Sequence, residues 1–385
     1  MTYDALTIDT QVVYQNGHRL KAGLVGQLDQ YKDGLVKFVL SEIVCREIKS
    51  MLIEDAKSTI DALAACLKDG SRNSHFSKKQ IEEIGSFLTS IQSPDVHAKD
   101  RLKDFVDSTG AIIVPANMAP MDAVLTAYFS KAPPFSNKGK KSEFPDAIAI
   151  LSIEAWAKKE NKKVLAVSKD GDWKTFAAKS PWIDCVEDLG EAMSKLAEAA
   201  GTVRPDAHAV LRSLIDGTAP AESKSTLDRD IANSIESETP YVEFDSSTQA
   251  EDEGASLSLI EYSFPDTDAD EIEIVRMRSD GFVMKVPIEI TAAASADISF
   301  YTRDPVDKDY LPLGSSSIHR NVEFEAFALI DCERISDHTA AKTPASKYQV
   351  TSAELVGVPA SIDLGYVEPY DDEEDYFEDF GPLKE

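Results

Sequence analysis

Apolar and polar positions in the first 200 residues follow two different periods. Short apolar runs at 4–9 (DALTID) and 162–170 (KKVLAVSKD) are typical of buried strands. Between such runs lie longer segments with apolar residues at helical spacing, as at Val44, Ile48 and Leu52. Strands that alternate with helices predict a parallel sheet covered by helices on both faces.

The pattern changes after residue 200. Residues 201–255 are rich in Ala, Ser, Thr, Asp and Glu, which indicates an acidic linker with at most one short helix near 206–216. Residues 256–365 contain short alternating segments separated by Gly, Pro, Asp or Ser, which predict an antiparallel, sandwich-like β-domain. Residues 366–385 form an acidic tail with aromatic residues set into it. The α/β domain then occupies residues 1–200.

Charge is distributed unevenly between these segments. The 385 residues include 40 Lys and Arg against 68 Asp and Glu, a net charge of −28. Residues 1–200 carry 26 basic and 28 acidic side chains, so nearly all of the surplus lies in residues 201–385. The overall charge excludes a generally basic nucleic-acid coat protein, whereas the nearly neutral first part leaves room for a local basic site.

Other classes of protein are excluded by composition. No run approaches the roughly 20 apolar residues that a membrane helix needs, and the N-terminus lacks the basic and apolar regions of a signal peptide. The four cysteines form no C-x-x-C pair and the six histidines are dispersed, so a zinc site has little support. We therefore expect a cytoplasmic protein whose metal ligands, if any, are carboxylates, which prefer ions such as Mg²⁺ or Mn²⁺.

Acidic residues fall where the predicted strands of the α/β domain end. Asp9 ends the first strand, and Glu47 lies in the first turns of the helix after the second. Asp146 opens the helix after a lysine-containing loop, and Asp170 ends a later strand, with Asp172 two residues on. The carboxyl ends of parallel strands share one edge of a sheet, where these carboxylates would repel one another unless a divalent cation lay among them.

Each of these positions also has a simpler interpretation when it is taken alone. Asp146 is favoured by the dipole of the helix it opens, and Asp170 is a common turn residue before Gly171. Glu47 alone could be a solvated helix residue. Their joint placement favours a metal site.

Four sequence motifs in a fixed order resemble those of PIN-domain nucleases: LTIDT, VLSEIVCREI, FPDAIAILS and VLAVSKDGDW. The segment PPFSNKGKKSEFPDA is similar to a subgroup with a proline- and lysine-rich loop before the third acidic residue. The resemblance covers about residues 4–200. It implies a three-layer α/β/α domain with a parallel sheet that cuts single-stranded RNA with Mg²⁺ or Mn²⁺.

The resemblance also assigns roles to individual residues. It places the catalytic carboxylates at Asp9, Glu47, Asp146 and Asp170, and we expect Asp9, Asp146 and Asp170 as metal ligands with Asp172 as a possible outer ligand. Thr10 matches the family's small hydroxyl residue, and we expect it to contact the substrate together with the basic residues Lys138, Lys140, Lys141 and Lys169, although the lysine run could equally be a solvated loop. Glu42 competes with Glu47 for the second position, and Glu143 is a further candidate ligand. Trp173 either stacks on a base or lies in the core, and the core is the more common outcome after a strand.

The expected function is a metal-dependent endoribonuclease, with a role as a bacterial toxin or anti-phage effector suggested by the resemblance alone. The alternatives are a nuclease for single-stranded DNA and a catalytically silent module that binds RNA or a partner. A haloacid-dehalogenase-like phosphatase is set aside because it needs an Asp where this chain has Gln11. The β-domain or the acidic tail could bind a protein partner, the tail could equally serve solubility, and the oligomeric state is left open.

The chain departs from the family in one respect: the 98 residues between Glu47 and Asp146 exceed the spacing in compact PIN-domain toxins, which implies extra helices over the sheet edge.

Overall fold

The computed structural model describes residues 3–72, 76–135, 143–197, 200–303, 310–335 and 347–369. The chain divides into two compact units. The first comprises Met1–Arg204 and Glu273–Val283, and the second comprises Pro205–Ile272 and Met284–Glu385.

The first unit is built on a five-stranded parallel sheet, as the sequence predicts. Its strands are β1 (Ala5–Ile8), β2 (Lys37–Ser41), β3 (Ile112–Val114), β4 (Val164–Val167) and β5 (Ile183–Val186). They lie in the order β3-β2-β1-β4-β5, and every neighbouring pair is parallel. All residues of β1 and β4 are buried, because helices cover both faces of the sheet.

The sheet order determines where a site can form. From β1 the chain runs outward through β2 to β3, and then crosses to the other side of β1 for β4 and β5. The two halves of the sheet therefore diverge between β1 and β4. In open α/β sheets, ligands bind in the crevice at the carboxyl ends of the strands that flank such a switch point.

Nine helices accompany this sheet among the described residues of the first unit: α1 (Thr10–Gln15), α2 (Gly23–Gly26), α3 (Glu42–Arg72), α4 (Lys78–Ser90), α5 (Pro94–Thr109), α6 (Met121–Ser130), α7 (Phe144–Glu160), α8 (Gly171–Ala177) and α9 (Leu189–Leu196). Two 3₁₀ helices lie at Gln27–Tyr31 and Ala116–Met118. The long α3 together with α4, α5 and α6 accounts for the wide separation of Glu47 and Asp146. A capping box between Ser77 and Gln80 begins α4.

A strand from the second half of the chain also belongs to the first unit. Strand β8 (Glu273–Met277) contacts α9 and the 3₁₀ helix Gln27–Tyr31. Gln30 donates a hydrogen bond from Nε2 to the Val275 carbonyl at 2.9 Å, and Arg276 forms an ion pair with Asp29. Residues 273–283 therefore lie in the first unit, although their alternating pattern resembles that of the β-domain predicted for 256–365.

The second unit contains the predicted antiparallel sheet. Its strands are β6 (Tyr241–Ser246), β7 (Gln249–Ser263), β9 (Gly281–Arg303, whose first residues belong to the first unit), β10 (Tyr310–Arg334), β11 (Tyr348–Val356) and β12 (Ser361–Val367). The main sheet has the order β11-β10-β9-β7, with antiparallel pairing of β10 with β11 and of β7 with β9. A second, two-stranded sheet pairs β12 and β6 in parallel.

The expected linker at 201–255 is folded instead. It contains α10 (Ala200–Ile215), α11 (Ala221–Glu236), β6 and the beginning of β7. Polar side chains of α11 accept hydrogen bonds from the backbone of the edge strand β11. These bonds run from Val350 N to Ser223 Oγ at 3.0 Å, from Ala353 N to Asp230 Oδ2 at 3.0 Å, and from Leu355 N to Ser234 Oγ at 3.3 Å.

This arrangement explains why the composition misled. The Ser and Asp residues typical of a linker here satisfy a strand edge that would otherwise be open to pairing with another chain. On the same helix Leu227, Ile231 and Ile235 are fully buried. Only three buried apolar positions in a polar segment make a weak helical pattern.

Two further observations concern composition. None of the described helices combines the length and the apolar character that crossing a bilayer requires. All four cysteines are free thiols, with Cys45 and Cys332 buried and Cys66 exposed. The acidic tail predicted for 366–385 lies almost entirely in residues 370–385, outside the described residues.

Candidate active site at the sheet edge

Asp9 occupies the switch point of the parallel sheet. It follows β1 directly and is the N-cap residue of α1, with an extended backbone (φ −83°, ψ 158°). Its side chain is only 8% exposed, and Oδ2 accepts a hydrogen bond from Ser168 Oγ at 2.7 Å. Burial raises the pKa of Asp9, although the hydrogen bonds from Ser168 and from the backbone of Thr10 act in the opposite direction.

Glu47 reaches the same edge from the second turn of α3. Its Oε2 accepts a hydrogen bond from Thr10 Oγ1 at 2.6 Å. The competing residue Glu42 is occupied elsewhere, because its carboxylate accepts from Ala116 N at 2.9 Å and from Arg46 Nη2 at 2.5 Å. The Ala116 amide and the Arg46 guanidinium hold the pKa of Glu42 below its usual value.

Asp146 lies where the other carboxylates converge. It is in the first turn of α7, and its pKa is raised to about 7. Burial is the largest cause, and the charges of Asp9, Glu47, Asp170 and Asp172 add to it in that order. The dipole of α7 favours a negative charge at this position, so burial and repulsion outweigh it. The charges of the four other carboxylates that the sequence places at strand ends therefore all act on Asp146.

Asp170 and Asp172 come from the carboxyl end of β4. Asp170 is the N-cap residue of α8, and its Oδ1 accepts a hydrogen bond from Asp172 N at 2.5 Å. The pKa of Asp172 is raised by burial, by Asp170 and by Glu143. Glu143, the N-cap residue of α7, thus borders the cluster.

Of the residues expected to contact the substrate, the structure describes Thr10 and Lys169. Lys138, Lys140 and Lys141 lie outside the described residues. Lys169 is exposed next to Asp170. The Thr10 hydroxyl holds Glu47.

Trp173 is 1% exposed, so base stacking is contradicted and the core position is the observed one.

Divalent cations suit the donor chemistry of this cluster, since all five side chains offer carboxylate oxygens. The mutual repulsion at Asp146 would become attraction with a cation among them. Within the part of the chain that the structure describes, no three Asp, Glu, His or Cys side chains are grouped closely enough to hold a metal ion. The fit of a divalent cation to this cluster therefore rests on the carboxylate donors and on the negative charges that act on Asp146.

One residue of the site is missing from the set that sequence patterns identify. Ser168 follows β4 and is fully buried, and its hydroxyl contacts both Asp9 and Asp170. The only signal in the sequence is a serine two residues before Asp170, at the end of an apolar run. This pattern does not predict the contact between Ser168 and Asp9, because that contact requires β1 and β4 to be neighbouring strands.

Comparison with known proteins gives a family match within the first unit. Residues 6–173 match the family model described as PIN domain. The match includes all five carboxylates of the cluster. Searches of the curated proteins and of the solved structures returned no match.

Proposed function

Because residues 6–173 match the PIN domain, a nuclease-type fold, we propose that the protein is a metal-dependent endoribonuclease that hydrolyses phosphodiester bonds in single-stranded RNA. The observation that carries this proposal is the environment of Asp146, where burial and four neighbouring carboxylates raise the pKa to about 7. Strongly shifted carboxyl groups in a cluster are characteristic of functional sites.

Asp9, Asp146, Asp170 and Asp172 would hold Mg²⁺ or Mn²⁺. When bound, such an ion lowers the pKa of a coordinated water and offsets the negative charge that develops on the phosphodiester. PIN domains generally use divalent metals, which agrees with the carboxylate-only donor set of this cluster.

Glu47 and Asp170 have separate tasks in this proposal. The Thr10 hydroxyl at 2.6 Å fixes the Glu47 carboxylate, so Glu47 can order a water and accept its proton. Asp170 is fixed by the amide of Asp172 at the start of α8. Lys169, exposed beside Asp170, supplies a positive charge for the substrate backbone.

The cellular setting is a further part of the proposal. Free thiols at all four cysteines agree with a reducing compartment, so we place the enzyme in the cytoplasm. A role as a toxin or anti-phage effector rests on the family resemblance alone.

The decisive experiment compares Asp146→Asn and Asp9→Asn with Asp122→Asn in the full-length protein. Asp122 is a matched control, because it also lies in the first turn of a helix but is exposed outside the cluster. With Mn²⁺ and mixed RNA and DNA oligonucleotides, both cluster variants should lose at least about 1000-fold in cleavage rate, and Asp122→Asn should cleave like the wild type.

Three other results would count against the proposal. Retained Mn²⁺-dependent cleavage in both cluster variants would show that the chemistry lies elsewhere. Cleavage of DNA alone would identify a DNA nuclease. RNA binding with no cleavage of any oligonucleotide would identify a silent binding module.

A further inference from the structure

A cavity of about 340 Å³ lies in the first unit between α3 and the segment that runs from the end of α4 into α5. The residues of α3 that line it begin at Asp55, eight positions after Glu47, which corresponds to about 12 Å along a helix axis. Its volume is within the range of pockets that bind small organic molecules. The cavity is therefore a candidate binding site that is separate from the acidic cluster.

One wall of the cavity is apolar. It consists of Ala56 and Ile60, on neighbouring turns of α3, and of Ile91, the C-cap residue of α4. All three are half-buried, so part of their surface is open to water. A flat apolar body on this wall removes that surface from water, which favours binding. Nucleobases bind in this way, with their faces against aromatic or apolar side chains.

Three exposed polar side chains of the cavity offer groups that can read the edge of a base. Gln92 Nε2 donates to Asp100 Oδ2 at 2.9 Å, and the amide oxygen of Gln92 remains an acceptor. Thr59 Oγ1 donates to the Asp55 carbonyl at 3.0 Å and keeps lone pairs that accept. The Asp55 carboxylate can accept from an amino group of a base, as acidic side chains do from cytosine. These groups suit a base better than a purely apolar ligand.

Two basic side chains line the cavity from α5. His97 and Arg101 are four residues apart and therefore lie on one face of this helix. Arg101 Nη2 donates to the His18 carbonyl at 2.8 Å, and the guanidinium has further N–H groups that suit a phosphate. Within the part of the chain that the structure describes, the ring of His97 has no hydrogen bond or ion pair. Both side chains can therefore bind the phosphate of a nucleotide.

His18 holds the charged residues of the cavity in place. Its Nδ1 lies 3.3 Å from Asp55 Oδ2, and its carbonyl accepts from Arg101. Such preorganisation lowers the entropic cost of binding. His18 lies three residues after the end of α1, whose N-cap residue is Asp9, so a short segment connects the acidic cluster to the cavity. A single strand advances about 3.4 Å or more per nucleotide, so about three nucleotides span the distance of ~12 Å between Glu47 and Asp55.

We propose that this cavity is a nucleotide-binding subsite, in which a base lies on the apolar wall and its phosphate is bound by His97 and Arg101. The nucleotide is either part of an RNA strand, which the subsite would hold beside the acidic cluster, or a free nucleotide that carries the same groups. The inference rests on the proposed function only in the first case, where it names a contact of the substrate.

The experiment uses the full-length protein in EDTA, so that neither a metal ion nor cleavage is involved. Binding of a single-stranded RNA hexamer is measured by fluorescence anisotropy, and binding of the four nucleoside 5′-monophosphates by calorimetry. NMR of ¹³C-methyl-labelled isoleucine follows Ile60 and Ile91 directly. Circular dichroism shows that each variant is folded.

Two variants change the cavity and two serve as matched controls. Thr59→Trp places a large side chain in the cavity from an exposed helical position, and His97→Ala removes a ring that has no hydrogen bond or ion pair with the described residues. The controls are Thr126→Trp, at an exposed position of α6, and His319→Ala, at an exposed position of the second unit. His97→Ala tests the proposal independently if Thr59→Trp does not fold.

In the wild type, the methyl resonances of Ile60 and Ile91 should shift when the ligand binds. Thr59→Trp should weaken binding at least about 10-fold because it fills the place of the base. His97→Ala should weaken it about 2- to 10-fold because one donor to the phosphate is lost, and both controls should keep the wild-type affinity. Weaker binding of the hexamer assigns the subsite to an RNA strand, whereas weaker binding of the monophosphates alone assigns it to a free nucleotide.

The inference is overturned if neither methyl resonance responds to any of these ligands, or if the folded cavity variants bind as tightly as their controls. If the wild type binds RNA at this cavity in EDTA but cleaves no oligonucleotide with Mn²⁺, the proposed function fails and the subsite stands.

Discussion

Two groups of carboxylates, one in each unit, have opposite surroundings, partly buried in the first and exposed in the second. In the first, the charges of four carboxylates act on Asp146 at one sheet edge, and the most buried of these five groups, Asp9, is only 8% exposed. In the second, an open cavity of about 590 Å³ is lined by Glu261, Glu289, Glu323 and Glu325. All four of these glutamates are exposed, because they occupy outward positions of β7, β9 and β10.

The difference shows that the amount of charge says less about function than its surroundings. Exposed carboxylates are solvated and screened by salt, so their repulsion costs little. Carboxylates that share a partly buried edge raise one another's pKa, and this is the case at Asp146. Nearly all of the net charge of −28 comes from residues 201–385, so the total charge gives no indication of the site in residues 1–200.

The units also differ in how each is completed. The first takes in β8 from the second half of the chain, and Ile274 of that strand is fully buried. The second uses α11 to cover the edge of β11. Three predictions test these contrasts.

The largest effect is expected for Ile274→Ala in β8. Replacing a fully buried isoleucine by alanine costs about 2–5 kcal/mol, and the cost should fall on the first unit. All three tryptophans, Trp156, Trp173 and Trp182, belong to that unit, so urea unfolding followed by their fluorescence reports on it. Ile260→Ala, at a half-exposed position of β7, is the control and should change the Trp transition by less than about 1 kcal/mol.

An unchanged Trp transition in Ile274→Ala would mean that β8 contributes nothing to the first unit. The same shift in both variants would mean that the two units unfold together.

A smaller effect is expected for Ser223→Ala in α11. The change removes the acceptor of the buried Val350 N–H, and an unsatisfied buried donor costs about 1–3 kcal/mol. Far-UV circular dichroism, which is dominated in the second unit by its long strands, should show the loss in urea. Ser237→Ala is the matched control, because Ser237 is the exposed C-cap residue of α11 and its hydroxyl donates to the Ser234 carbonyl. Equal stability of the two variants would contradict edge protection by α11.

The sequence predicts the parallel sheet and the convergence of carboxylates because both follow from local patterns. Asp9 and Asp170 end apolar runs, and the geometry of parallel sheets alone brings such ends to one edge. The contact between Ser168 and Asp9 is not predictable in this way, because 159 positions separate the two residues.

The same physical limit explains the errors in the second half of the chain. The polar residues of α11 resemble a linker until β11 is known to lie beside them. The residues of β8 alternate like the other strands, and nothing local indicates that their partners include Gln30 and Asp29.

The smallest effect, and the most direct test of the contrast between the two kinds of carboxylate, concerns pH. The folded pKa of Asp146, about 7, lies above its ordinary value of 3.8, so the native state binds more protons than the unfolded state between about pH 4 and pH 7. Stability in EDTA should therefore fall as pH rises through this range. Asp146→Asn removes the ionisation and should stabilise the protein by about 1 kcal/mol at pH 8, once solvent screening is discounted, and by much less at pH 4.

Glu323→Gln is the control for this measurement, because it removes an exposed charge of the second unit. It should change the urea midpoint by less than about 0.5 kcal/mol at either pH. Adding Mn²⁺ at pH 8 should reverse the order of wild type and Asp146→Asn, since the cation stabilises only the protein that keeps its carboxylates. A gain at pH 8 that is as large for Glu323→Gln as for Asp146→Asn would show that total charge, rather than convergence at the sheet edge, sets the pH dependence.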